Sequence, residues 1–201
     1  PAGVVFNLCF MYNEGSTAEP KRRGPPVTAR SEELYNQALT YMEKWELDKA
    51  EEVLRQLLDE DPQHARALNK LGVIFARRKD LQQAEMCFNE ALALDPSLAS
   101  AHSNLGNIYA ERGWHDRAKA AYEQALLLEP DNSTALHNLG VLYRKSGDIA
   151  KGVSLLKEAS RAERRQMRGE LKANPEKRRV VQIGWIIIAI IFFVLLYLAN
   201  R

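Results

Sequence analysis

Cysteine is nearly absent: Cys9 and Cys87 are the only two. That is too few for a disulfide scaffold, and no Cys-x-x-Cys or Cys-x-x-His spacing offers a zinc site. With 11 glycines and 8 prolines in 201 residues, a collagen-like or low-complexity chain is excluded. An excess of one charge is also missing. The 28 basic and 26 acidic residues leave a net +2, whereas a nucleic-acid binder needs clustered basic excess, so no nucleic-acid partner is expected. Catalytic signatures are lacking too. There is no G-x-S-x-G elbow, no Gly-rich phosphate loop and no H-E-x-x-H. His64, His102, His115 and His137 show no metal-ligand spacing, and His102 reads as a packing residue. Cys87, beside Phe88, reads as a small core residue, and Glu51-Glu52 and Asp59-Glu60-Asp61 as solvated helix faces. No enzyme activity, cofactor or metal is expected.

What the chain does have is an internal period. Pro62, Pro96 and Pro130 recur every 34 residues, each preceded by an acid. Ala50, Ala84, Ala118 and Gly152 keep the interval, as do Ala38, Gly72, Gly106 and Gly140, and Tyr41, Phe75, Tyr109 and Tyr143. Within one period Leu105, Ile108 and Tyr109 give a first helix an apolar face, with Gly106 allowing close approach. Gly113 and Gly147 then break the chain, where Trp45 and Lys79 stand in the earlier units. A second helix carries Ala118, Tyr122 and Ala125, and Pro130 closes the unit because proline cannot continue a helix interior. A single pair cannot bury its apolar face, so units must stack.

This pattern closely resembles the tetratricopeptide repeat (TPR) family over residues 31–163. It implies an all-α solenoid of about four helix-turn-helix units, near 31–62, 65–96, 99–130 and 133–163. The first and last units depart most: Gln37, Leu54 and Leu57 in the first, Gly152 and no closing proline in the fourth. From 148 to 173 no proline occurs, so the last helix is expected to run on as a capping helix and a basic stalk over 164–179.

Long apolar runs are lacking as well, with one exception. Residues 180–198, VVQIGWIIIAIIFFVLLYL, hold no charge over 19 positions, and 14 are Val, Ile, Leu or Phe. As a helix they extend about 28 Å, close to a bilayer core of about 30 Å. A buried core helix is disfavoured because nothing else in the chain is apolar enough to surround it. Trp185 and Tyr197 suit the headgroup zones, and seven basic residues over 164–179 against Arg201 alone place the N-terminal body in the cytosol. Asn174-Pro175-Glu176 reads as a helix start. With 199–201 as a short far-side tail, the expectation is a single-pass tail anchor in a membrane lipid bilayer. Lys177, Arg178 and Arg179 are expected at the membrane surface, at about 1 kcal/mol per basic residue, or merely to set topology. At the other end, GVVFNLCFMY (3–12) is interrupted by Asn7 and follows no basic residue. It reads as a loosely packed terminus, or as sequence upstream of a start at Met11, within a mostly disordered leader, 1–30.

In a TPR stack the first helices line a concave groove for an extended peptide or a partner helix. The resemblance makes Asn36, Lys70, Asn104 and Asn138 one recurrent inward position, with Asn107 beside it. The stretch 101–113 is similar to the TPR superhelix of O-linked N-acetylglucosamine transferases, where an asparagine ladder holds a peptide backbone. Amides suit that task because each both donates and accepts. The dicarboxylate clamp of co-chaperone TPR domains is not expected. Its positions hold Tyr35, Leu39, Lys70, Ser100 and Asn104 in one register, and Asn69, Val73, Asn104, Thr134 and Asn138 in the next. The body, 31–163, is acidic at −6 and the stalk basic at +5. Tail-anchored TPR-like proteins that recruit fission machinery share this layout. The expected function is therefore a membrane-anchored adaptor with a protein partner in its groove. The alternative is an assembly subunit packed permanently on a membrane complex or on itself, so self-association stays open.

Overall fold

The computed structural model describes residues 27–175 and, further on, 179–180, 183–184, 186–188 and 190–192. Helices follow one another as α1 (Val27–Glu43), α2 (Leu47–Glu60), α3 (Ala65–Arg77), α4 (Leu81–Leu94), α5 (Ala99–Glu111), α6 (His115–Leu128), α7 (Ser133–Lys145) and α8 (Ile149–Ala173). No strand occurs among the described residues. The helix starts ahead of the expected Ser31: α1 opens at Val27, directly after Pro25-Pro26.

Each turn inside a unit rests on one backbone device. Trp45, Lys79, Gly113 and Gly147 have φ of 62°, 67°, 78° and 96°, and in the first three units this left-handed residue lets the next N–H reach back to the first helix. Glu46 donates to the Tyr41 carbonyl at 3.0 Å, Asp80 to Phe75 at 3.0 Å and Trp114 to Tyr109 at 2.8 Å. These bonds satisfy carbonyls that a helix end leaves open. In the second and fourth units the following helix is also capped by a side chain: Asp80 Oδ1 accepts from the Gln83 N–H, and Asp148 Oδ1 from the Lys151 N–H.

Every first helix packs on the second helix of its unit, and every second helix on the next first helix. The crossing inside each unit is matched by a pair 16 residues apart. A Cβ on Gly72 would stand 2.6 Å from the Phe88 ring, and one on Gly106 2.5 Å from Tyr122. In the first unit the same places hold Ala38 and Leu54, both fully buried, so a larger residue on one helix faces a smaller one on the other. The fourth unit goes further. Gly152, a departure from the repeat's alanine, lies against Gly140, and a Cβ there would run into Arg144 and stand 2.8 Å from the Gly140 carbonyl. Two glycines thus bring α7 and α8 closer than any alanine permits.

Past Ala159 and Ala162, which are buried against Leu136, α8 leaves the stack. Arg165 forks onto Asp131 at 3.1 and 2.5 Å, and the rest is exposed except for half-buried Leu171. Asn174 ends α8 with extended backbone, its N–H donating to the Glu170 carbonyl, and Pro175 is again helical. Among the described residues no helix is long and apolar enough to cross a membrane. The apolar stretch expected to do so lies partly outside them, since 181–182, 185, 189 and 193–198 are not described. Its described members, from Val180 to Phe192, are helical, and Ile183, Ile186 and Ile188 stand more than half exposed. Residues 1–26 with Cys9, Lys177, Arg178 and the tail 199–201 also lie outside the described residues; Arg179 is helical and exposed.

Candidate peptide-binding groove

The first helices do more than pack on their partners. α3 touches α5, and α5 touches α7, so their free sides form one continuous surface. Between α3 and α5 this surface holds a cleft of about 230 Å³, lined by Val73 and Arg77 on one side and Asn104, Asn107, Ile108 and Glu111 on the other. Phe88 forms part of its floor.

Of the expected ladder residues, Lys70, Asn104, Asn107 and Asn138 lie on these three helices, and they are not equivalent. Asn104 donates from Nδ2 to Asn69 Oδ1 at 2.9 Å, and Asn69 donates onward to Ser100 Oγ at 3.0 Å. Asn138 donates from Nδ2 to Asn107 Oδ1 at 2.6 Å, and the Tyr122 hydroxyl donates to the same oxygen at 2.8 Å. Each amide is therefore partly used in joining one unit to the next. Since an amide carries two donors and an accepting oxygen, Asn104 and Asn138 keep their oxygens and Asn107 keeps its NH₂. Asn36, on α1, is exposed and contributes only its carbonyl, to Thr40 Oγ1 at 3.0 Å.

Lys70 is half-buried, and burial, with the nearby Arg77 guanidinium adding to it, lowers its pKa. Arg77 lies over the Trp45 ring at 4.7 Å and reaches back from the second unit to the first. No acidic residue is paired with either cation among the described residues.

Asn69 was not expected in the groove; it entered only as a position of the clamp. It is buried, at 3% exposure, and is the hub between α3 and α5. Ser103, its equivalent one unit later, is also buried, but its Oγ finds no partner. A serine is too short to serve as the hub, which is why Asn138 turns to Asn107 instead. The sequence signal was available in the spacings: 35 residues separate Asn69 from Asn104, and 31 separate Asn107 from Asn138. The other clamp positions offer little for a carboxylate. Leu39 and Val73 have no side-chain donor, and Tyr35 is stacked on His64 at 5.3 Å.

Elsewhere His102 is half-buried, its Nε2 3.1 Å from the Pro96 carbonyl, and Cys87 is fully buried. No group of three His, Cys, Asp or Glu side chains that could hold a metal occurs among the described residues.

A stack of helix pairs repeating every 34 residues, with the first helices joined along one face, is an α-solenoid scaffold. The chain belongs to the tetratricopeptide repeat family: models described as tetratricopeptide repeat match residues 35–99, 99–132 and 121–153. No curated protein matches the sequence. Solved structures do. The crystal structure of MamA is 28% identical with a TM-score of 0.57, covering 69% of this chain and 81% of MamA. A mutant O-GlcNAc transferase of Thermobaculum terrenum is 27% identical with a TM-score of 0.63, covering 69% of this chain and 27% of the transferase. The first TPR domain of Spaghetti (RPAP3), bound to the HSP90 peptide SRMEEVD, is 26% identical with a TM-score of 0.54, covering 58% of this chain and 93% of that domain.

Proposed function

We propose that this chain is a non-enzymatic, membrane-anchored adaptor, whose groove receives an extended peptide or a helix of a partner protein and recruits it to the cytosolic face. The observation that carries the reading is the amide row beside the α3–α5 cleft. Asn104 and Asn138 present unspent oxygens and Asn107 an unspent NH₂, the complement of a peptide backbone that alternates donors and acceptors. Their inter-unit bonds hold these amides in place before a ligand arrives, which lowers the ordering cost of binding. A similar domain that holds a peptide lends support. The charge-free stretch 180–198 after the basic stalk supports the anchor, which would confine the groove to two dimensions and raise its effective concentration near membrane partners.

The test uses the full chain in its membrane. A photo-crosslinking residue at Val73, which lines the cleft, should capture a defined partner. Asn104→Ala combined with Asn138→Ala should reduce that capture about tenfold, the loss of one or two hydrogen bonds of about 1 kcal/mol each. Gln124→Ala, on the exposed side of α6, should leave it unchanged. Equal capture by the parent chain and both variants would remove the groove from the mechanism.

A further inference from the structure

The C-terminal end of the stack presents a face that the other units cover. On α2, α4 and α6 a stripe of four positions receives the next unit's first helix: Leu47, Glu51, Leu54 and Leu58; then Leu81, Glu85, Phe88 and Leu92; then His115, Lys119, Tyr122 and Leu126. Glu51 pairs with Arg78, Glu85 with Arg112, and Lys119 Nζ lies 5.0 Å from the Tyr143 ring. Phe88 packs with Leu105, and Tyr122 with Leu139.

On α8 the same stripe is Ile149, Val153, Leu156 and Ser160. Valine replaces the charged residue that pairs across the junction, and among the described residues no helix sits there. Ile149 is 55% and Val153 39% exposed. A shallow trough of about 470 Å³ runs past Val153 and Leu156 beside Lys157, Arg161 and Arg164. These three cations are exposed and pair with no acid among the described residues.

Two occupants from the chain itself fit poorly. Where α3, α5 and α7 bring Leu71, Leu105 and Leu139 to such a stripe, α1 carries exposed Gln37, with exposed Glu33 one turn earlier. The N-terminal end is thus a polar cap, and a second copy stacked head to tail would set glutamine where leucine is needed. The described apolar residues after α8 are themselves more than half exposed at Ile183, Ile186 and Ile188, so these do not cover the stripe.

We propose that the α8 stripe is a second docking face, separate from the groove, and that it seats an amphipathic helix of a partner protein in the place of a fifth unit's first helix. The stripe asks for an apolar row on that helix, and Lys157, Arg161 and Arg164 ask for acidic residues beside it.

The experiment uses the full chain in detergent micelles and two synthetic sixteen-residue helices with the same leucine stripe, one flanked by glutamates and the other by lysines. In fluorescence anisotropy the glutamate helix should bind at least tenfold more tightly than the lysine helix. Val153→Asp should weaken it by at least tenfold, and Asn104→Ala should leave it unchanged. Arg161→Glu with Arg164→Glu should reverse the preference toward the lysine helix, a gain that an unfolded variant would not produce. Equal binding of the two helices would overturn the proposal. So would a loss of binding on Asn104→Ala, which would put the helix in the groove, or a dimer in sedimentation abolished by Val153→Asp, which would give the face to a second copy.

Discussion

Lys79 occupies a backbone conformation that disfavours any side chain, with φ of 67° at the turn between α3 and α4. For an L-residue the left-handed region costs about 1–2 kcal/mol, which glycine escapes. The side chain offers only an exposed ion pair with Glu111 in return, and such pairs contribute little. Lys79→Gly should therefore stabilise the fold by about 1 kcal/mol and raise its melting temperature by about 3–5 °C. Gly113→Ala, with nothing within 4 Å of the added methyl, should lower it by a similar amount through backbone strain alone. Thermal unfolding of both variants checks the pair; a fall for Lys79→Gly would show that its ion pair outweighs the strain. Tyr122 gives the second residue-scale prediction. Burial pushes its pKa up to about 12, offset in part by the Asn138 amide. In the unfolded chain the phenol loses its proton near pH 10, so between about pH 10 and 12 the unfolded state holds fewer protons than the folded one. The stabilising effect is complete below pH 10 and is lost as pH rises toward 12. Tyr122→Phe should flatten that part of the stability–pH curve, at the cost of the hydrogen bond to Asn107; an unchanged slope would assign the alkaline loss to other groups.

At the scale of the helix pair, what matters is the summed size of two facing residues. Gly106 and Tyr122 share the space that Ala38 and Leu54 share in the first unit. Gly106→Ala should cost about 1–3 kcal/mol, because the ring must move within a close-packed interior. Adding Tyr122→Leu to Gly106→Ala should recover part of that loss, copying the first unit's solution. Urea denaturation of the single and double variants gives the coupling energy directly, and simple additivity would refute the shared-space account. Much of this level was legible in the sequence. The period of 34 located the crossings, and Gly113 and Gly147 marked two of the four turns. The other two, at Trp45 and Lys79, could be located only by their register with those glycines, since neither residue favours the conformation. For Asn69 the spacing of 35 residues to Asn104 was legible, but the hydrogen bond between them was not. Whether an asparagine on a first helix points to solvent or to its neighbour depends on how far adjacent helices are shifted along each other, which the apolar pattern leaves free.

Across the whole molecule the charge is unevenly placed: an acidic stack, −6 over 31–163, stands on a basic segment, +5 over 164–179. The basic segment begins on the stack itself, where Arg165 holds Asp131. The first part of the stalk, 164–173, is thus a continuation of α8, fastened at its base. On the proposed reading the residues after it hold the protein to a membrane. A chain lacking 180–201 should pass to the supernatant on alkaline extraction, while the full chain stays with the pellet. Release of the full chain would remove the anchor and leave a TPR scaffold without one.

The sequence by itself determined the repeat, the helix pairs and the residues that must be small where helices cross, because these follow from periodicity and volume within some thirty residues. It also showed the apolar tail and the basic run before it, because composition alone carries that signal. Only the tertiary structure decided how the groove amides are used. Asn69 and Asn107 take a donor from the next unit, which leaves unspent the oxygens of Asn104 and Asn138 and the NH₂ of Asn107. It also decided that, among the described residues, α8 carries an apolar stripe with no helix packed on it. The physical reason is the same for both. A hydrogen bond or a covered face between units depends on the rotation and shift of whole helices, which many contacts set together and no single repeat encodes.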